Sequence, residues 1–213
     1  GCALVFLSPI LLYTAYLVKT RLGSPVLFTQ IRPGKDGKLF RMYKFRSMTD
    51  ERDAEGNLLP DDVRLTEFGK KLRATSADEL PELINIFKGD MSVVGPRPQL
   101  VRDMVFFTEE EMKRQSVYPG LTGLAQICGR NNITWKEKFA FDLQYIKDIN
   151  FFEDMRIIFR TVFKVSAQED IATDGMETAE DYGDWLLRTG QIEKEKYDKK
   201  QAEAKKMLDE FEG

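Results

Sequence analysis

The sequence predicts an α+β fold that is mostly helical, combining a re-entrant membrane helix, a small β-hairpin and interfacial amphipathic helices. Three observations carry it: an apolar run near the start, two extended stretches around a glycine-rich turn, and helical periodicity through most of the remainder. At 213 residues, 42% hydrophobic and 31% charged, the chain is long enough to bury a core and too apolar for global disorder. The expected organisation is an anchor over residues 1–22, a body over 23–165 ending in an interfacial helix at 151–165, and an acidic helical tail over 166–213.

Residues 2–18 form the apolar run, at the lower edge of what crosses a bilayer. No basic segment precedes it and no small-residue cleavage site follows, so it does not read as a signal peptide. Ser8-Pro9 sits in its middle. Proline removes a backbone donor and kinks a helix, and the serine hydroxyl can take up part of the freed hydrogen bonding. One reading is a short kinked spanning helix or a buried core helix; the other is a re-entrant helix-break-helix that leaves on the face it entered. Lys19 and Arg21 mark the interface in the second reading. Gly1 abutting the run suggests that a few residues precede it.

Asp36-Gly37 supplies the positive φ values of a tight turn, so residues 26–31 and 38–45 read as a hairpin. Its second arm leads into Tyr43-Lys44-Phe45-Arg46, where Lys44 and Arg46 either line a solvated face or point together at an anion. Residues 50–62 read as a surface loop, and 66–72 as a short helix or turn. Leu80, Leu83, Ile84 and Phe87 recur at helical spacing, with Ser76 and Glu79 fitting a capping box and Gly89 as the stop. Asp78 and Glu79 then sit at a helix N-terminus, where they cap the helix or remain ionised as nucleophile or oxygen ligand. In Gly95-Pro96-Arg97-Pro98 the prolines restrict an arginine that either is solvated or presents its planar fork to phosphate, and Gly95 is expected to adopt a conformation closed to other residues. Residues 118–131 form a glycine-punctuated loop and extended segment ending near Arg130, and 139–148 a helix carrying Asp142. Residues 151–165 combine a wide apolar surface with Arg156, Arg160 and Lys164 every four residues, the pattern of a helix in the headgroup plane or of a packed helix with a solvated edge.

Charge and absences narrow the chemistry. From Ser166 onward 14 acidic residues face 7 basic ones, leaving the first 165 residues at about +4. A basic body suits phosphate or anionic lipid. There is no histidine, which excludes a Ser-His-Asp triad and a His-ligated zinc; two cysteines exclude a disulfide framework. The chemistry must run on carboxylates, Lys, Arg, hydroxyls, backbone amides or an oxygen-bound metal.

The strings YKFRSM, LRATSADELPELINIFKGDMSVVGPRP and YPGLTGLAQICGRN resemble the bacterial sugar transferase family, the monotopic phosphoglycosyl transferases that begin glycoconjugate assembly. The resemblance runs to about Val165 and implies a re-entrant helix broken at Ser8-Pro9, with the active site on the cytoplasmic face of the inner membrane. It implies Asp78 and Glu79 as a catalytic pair that also binds Mg²⁺, with Asp78 attacking the β-phosphate of a UDP-sugar and releasing UMP. Polyprenyl (undecaprenyl) phosphate then captures the phosphosugar. Arg97, beside Pro96, matches the phosphate-binding arginine; Lys44, Arg46, Arg73, Arg130 and Asp142 match other polar positions near substrate. Membrane lipid and downstream glycosyltransferases are the implied partners, and nucleic acid is not among them. The chain looks like the small, catalytic-domain-only form. Two other classes fit the residues less fully: a hydrolase using an aspartyl phosphate, and a non-catalytic module binding anionic lipid.

Overall fold

A computed structural model describes residues 2–129, 133–167 and 180–213. It is mostly helical, with two small two-stranded sheets. Helix α1 (Cys2–Leu22) is followed by strands β1 (Leu27–Pro33) and β2 (Leu39–Phe45). The two pair antiparallel from Leu27 opposite Phe45 to Pro33 opposite Leu39. Asp36 and Gly37 turn the hairpin with φ of 56° and 73°, the left-handed values anticipated for this dipeptide.

Helix α1 is the one helix among the described residues long and apolar enough to cross a membrane. Its 21 residues rise about 31 Å at ~1.5 Å each. The helix runs through Ser8-Pro9. Pro9 cannot donate to the Val5 carbonyl, and the Ser8 hydroxyl donates there instead at 2.7 Å, so helical geometry continues past the missing bond. Val18, Leu11, Ala15 and Leu22 pack with Phe45 and Leu72, while Val5, Phe6, Leu12, Tyr13 and Tyr16 are exposed. The C-terminal half thus docks on the body and the N-terminal half presents bare apolar surface.

Residues 50–62 fold back on themselves through an Arg52–Leu58 bridge, with the Asp53 carboxylate accepting from the Glu55 and Asn57 amides. Helices α2 (Asp61–Arg64) and α3 (Glu67–Ala74) follow, the second capped by Thr66. Next come a single 3-10 turn, Ala77–Glu79, and α4 (Glu82–Lys88), stopped by Gly89 at φ 84°. The apolar stripe of α4 is only partly buried. Phe87 is 66% exposed, Leu83 and Ile84 are half-buried, and the inward positions are Glu82 and Asn85, 2% and 0% exposed. Asn85 goes inside because its amide replaces a missing strand beside β2. It accepts from the Tyr43 N–H at 3.1 Å and donates to the Arg41 carbonyl at 2.8 Å.

Strand β3 (Ser92–Val94) pairs parallel with β4 (Gly120–Thr122), and helices α5 (Val101–Met104) and α6 (Glu109–Met112) lie between them. Helices α7 (Leu124–Cys128), α8 (Trp135–Lys147) and α9 (Phe151–Ala167) follow. A capping box of Thr134 and Glu137 starts α8 four residues ahead of the expected 139. On α9, Ile157 is fully buried while Phe152, Phe159, Val162 and Phe163 are exposed, so the helix is apolar on two sides.

The acidic tail is not an exposed appendage. Helices α10 (Tyr182–Arg188) and α11 (Lys194–Glu212) supply Tyr182 and Ala204 to the cluster containing Val101, Phe106, Trp135 and Phe139. The buried Asp103 carboxylate accepts from the Tyr182 and Gly183 amides at 2.7 and 3.3 Å, satisfying the first donors of α10. Composition misled because the charges lie on the outer faces while Tyr182, Trp185, Leu186, Tyr197 and Leu208 turn inward. A Cβ at Gly183 would fall 2.5 Å from the Phe106 ring. Gly183→Ala is therefore expected to destabilise the protein by about 1–3 kcal/mol, read as a lower urea midpoint; an unchanged midpoint would show that the segment is not packed this way.

Candidate active site

The 3-10 turn carrying Asp78 and Glu79 packs against β2 and α3. Ser76 enters it at φ 52° with no side-chain cap, so the capping box with Glu79 is not formed. The Glu79 carboxylate is drawn elsewhere. Its Oε1 accepts from Lys44 Nζ at 2.7 Å and from Arg97 Nη2 at 2.6 Å. Lys44 also lies 3.2 Å from Oε1 of Glu82, one turn along. A lysine from the hairpin and an arginine from the loop after β3 thus converge on one oxygen.

Asp78 lies beside this pair, 9% exposed, and its carboxylate takes no hydrogen bond from any described residue. The adjacent carboxyls are driven in opposite directions. Burial, then the neighbouring Glu79 charge, push Asp78 up to about 6 against the pull of Lys44, Arg73 and Arg97. The low value expected of a helix N-terminus is not met, because desolvation outweighs the cations. Burial would raise Glu79 too, but Arg97 and Lys44 overrule it and hold this carboxyl far below the usual range. Glu82 is raised to about 7 by burial and by the Glu79 charge.

The Pro96-Arg97-Pro98 segment is set by the β3–β4 pairing. Gly95 has no left-handed φ, so its expected special conformation is absent. Glycine is needed for space: a Cβ there would lie 2.5 Å from the Tyr118 carbonyl oxygen. Pro96 is buried and Arg97 keeps 41% of its side chain exposed while holding Glu79.

The other expected positions divide. Arg73 acts electrostatically on Asp78 and donates from Nε to Ser47 Oγ at 2.9 Å. Arg46 does not share an anion with Lys44. It is buried and donates to the Leu22 carbonyl and to the Asp50 carboxylate, because the C-terminal end of α1 offers unsatisfied carbonyls and a negative dipole end. Asp142 faces no open space, being buried in an ion pair with Arg114. Arg130 lies outside the described residues.

Residues 1–168 match the family described as bacterial sugar transferase. The chain belongs to that family. The uncharacterized sugar transferase EpsL of Bacillus subtilis (strain 168) is 51% identical over 173 residues, covering 81% of this chain and 86% of EpsL. The UDP-glucose:undecaprenyl-phosphate glucose-1-phosphate transferase of Klebsiella pneumoniae is 44% identical over 174 residues, 76% of this chain and 37% of that protein. The undecaprenyl-phosphate galactose phosphotransferase of Salmonella typhimurium is 36% identical over 184 residues, 78% of this chain and 38% of that one. The chain therefore spans most of EpsL and little more than a third of the two longer sugar transferases.

For this sugar transferase, a Mg²⁺ fits the acidic pair in a limited way. No cluster of three or more metal-ligating side chains occurs among the described residues. Asp78 is without a hydrogen-bond partner there, and Glu79 has one oxygen committed to cations. Magnesium commonly takes one or two carboxylates and fills its octahedron with water and substrate phosphate, which is what such a pair can offer.

Three positions whose contacts build the site escaped the sequence reading: Glu82, Asn85 and Arg114. A signal existed for two of them, since Glu82 and Asn85 stand at i and i+3 within an otherwise apolar helix, a polar stripe on one face. Arg114 follows α6 in an ordinary charged stretch and carries none.

The raised Asp78 carboxyl has a stability consequence. Because the folded state holds this proton more tightly than the unfolded chain, the contribution is present below about pH 4 and is lost as pH rises through about 6. Asp78→Asn removes that loss. The variant is expected to exceed the wild type above pH 6 by up to about 3 kcal/mol, converging toward pH 4, measured by denaturant melts across pH. A variant less stable at pH 8 would mean that the carboxylate is stabilised where it sits.

Proposed function

We propose that this protein transfers a sugar phosphate from a UDP-sugar to a polyprenyl phosphate such as undecaprenyl phosphate, releasing UMP. The observation that carries the proposal is the split acidic pair: Glu79 clamped by Lys44 and Arg97 beside Asp78, a carboxyl without a hydrogen-bond partner among the described residues. The names of the Klebsiella and Salmonella relatives support the same reaction class.

In the first step an Asp78 carboxylate oxygen attacks the β-phosphorus of the donor. The bond from that phosphorus to the bridging oxygen breaks, and UMP leaves with the bridging oxygen. A sugar-phosphoryl ester of Asp78 remains. In the second step a phosphate oxygen of the polyprenyl acceptor attacks the same phosphorus and restores the Asp78 carboxylate, giving a polyprenyl diphosphate sugar. Arg97, exposed on one side, and Lys44 offset charge on the transferred group. Glu79 holds both cations in place. When bound at Asp78 and Glu79, Mg²⁺ would supply further neutralisation of the diphosphate.

The lipid acceptor calls for a site at a membrane, and α1 supplies apolar surface there. A monotopic anchor, with the body on the cytoplasmic face of the inner membrane, keeps the site at headgroup level. Exposed Phe87 on α4 and Phe152, Phe159, Val162 and Phe163 on α9 suit contact with lipid.

With a UDP-sugar, Mg²⁺ and polyprenyl phosphate, the expected result is UMP release that stops on chelation and returns with added Mg²⁺. Asp78→Asn and Glu79→Gln should each abolish it while membrane association persists. Sugar or inorganic phosphate released without need of the lipid would instead identify a hydrolase, and no turnover with any UDP-sugar would leave a lipid-binding module. A second expectation concerns pH: attack needs ionised Asp78, so kcat falls below about pH 6 by about tenfold per pH unit. Intact-protein mass spectrometry with donor alone should show a sugar-phosphate increment on the wild type and none on Asp78→Asn; its absence from a turning-over enzyme would favour direct transfer.

A further inference from the structure

The Pro96-Arg97-Pro98 segment presents an unusual holding problem. Its two prolines have no N–H, so a ladder of backbone donors cannot fasten it. It is fastened through its carbonyls instead, each by a donor from a different part of the fold. The Gly120 amide donates to the Pro96 carbonyl at 3.0 Å and Arg32 Nη1 to the Pro98 carbonyl at 3.3 Å. Arg114 Nη2 donates to the Arg97 carbonyl at 2.6 Å, the shortest of the three.

Arg114 is built for this contact. It lies in the turn Lys113–Ser116, its side chain only 2% exposed. Nε and Nη2 donate to Asp142 Oδ2 at 2.9 and 2.7 Å, so α8 fixes the orientation of the fork. The rings of Phe107 and Phe139 lie 5.6 and 5.9 Å from the guanidinium carbon, and Tyr182 of α10 packs against Phe139 with ring centroids 5.1 Å apart. Helix α10, which lies outside the residues matched by the family, thereby backs one of the two rings beside Arg114.

We infer that Arg114 is a positioning residue for Arg97, that Asp142 anchors it rather than meeting substrate, and that the pair sets where the Arg97 fork stands opposite Glu79 and the donor phosphates. This rests on the proposed reading of Arg97 as a phosphate-facing group. A buried guanidinium has more N–H groups than one carboxylate takes up, and the further donation, to a carbonyl between two prolines, is what links the pair to the site.

Two variants test it in the full-length chain. Arg114→Lys keeps a cation opposite Asp142 but cannot also reach the Arg97 carbonyl through a planar fork. Arg114→Met combined with Asp142→Leu removes both charges together, which a buried pair tolerates in fold. Hydrogen exchange of the peptide spanning residues 93–100 should quicken in both. UMP release from a UDP-sugar should show kcat lowered by up to about 100-fold with KM for the donor nearly unchanged. In an Arg97→Ala background, Arg114→Lys should add no further loss. Unchanged exchange, full turnover in Arg114→Lys, or an additive loss in that background would overturn the inference. If the wild type released no UMP from any UDP-sugar, the proposed function would fail, and the exchange measurement would still decide whether Arg114 holds the segment.

Discussion

One oxygen atom organises this site. Oε1 of Glu79 receives the ammonium of Lys44 and the guanidinium of Arg97, side chains carried by the hairpin and by the loop after β3. Two adjacent carboxyls in a half-buried pocket would ordinarily both resist ionisation, through desolvation and mutual repulsion. Placing both cations on one of them breaks the symmetry. Glu79 stays ionised at ordinary pH, and burial together with its charge raises Asp78 to about 6. A raised carboxyl beside a fixed anion and two fixed cations suits the phosphoryl transfer proposed above, and the arrangement depends on three segments meeting to within hydrogen-bond distance.

Much of the remaining structure serves that meeting. Asn85 stitches α4 to the open edge of β2, which sets Glu82 and the preceding turn against Lys44. The close backbone approach at Gly95 brings β3 against the Tyr118 region, and the carbonyls of residues 96–98 are caught by donors from β4, β1 and the turn after α6. None of these contacts is large in energy, a net hydrogen bond being worth about 1 kcal/mol. Their value lies in geometry: each removes one freedom from a segment that proline has already made stiff.

The apolar helix α1 is tied to the same framework at its C-terminal end. Arg46 leaves the hairpin to bind the last carbonyls of α1, and Val18 is buried with Phe45 and Leu72. Apolar surface on the first half of α1 and on the outer sides of α4 and α9 remains uncovered by protein. The C-terminal helices complete the core cluster around Val101 and Phe139, with Asp103 capping α10 across 79 residues of sequence.

What the amino-acid sequence determined by itself is local: the Asp36-Gly37 turn, the stop at Gly89, the apolar first helix and the place of Asp78-Glu79 and Pro96-Arg97-Pro98 along the chain. Such features follow from backbone preferences and side-chain spacing over a few residues, which is why they are legible without the fold. Tertiary structure alone decided which face of α4 is buried, that Arg46 serves the anchor and Asp142 serves Arg114, that the acidic tail packs, and that the two neighbouring carboxyls separate in acidity. Those outcomes depend on partners 18 to 80 residues away. Burial and charge pairing are properties of the space between segments, and no window along the chain contains that space.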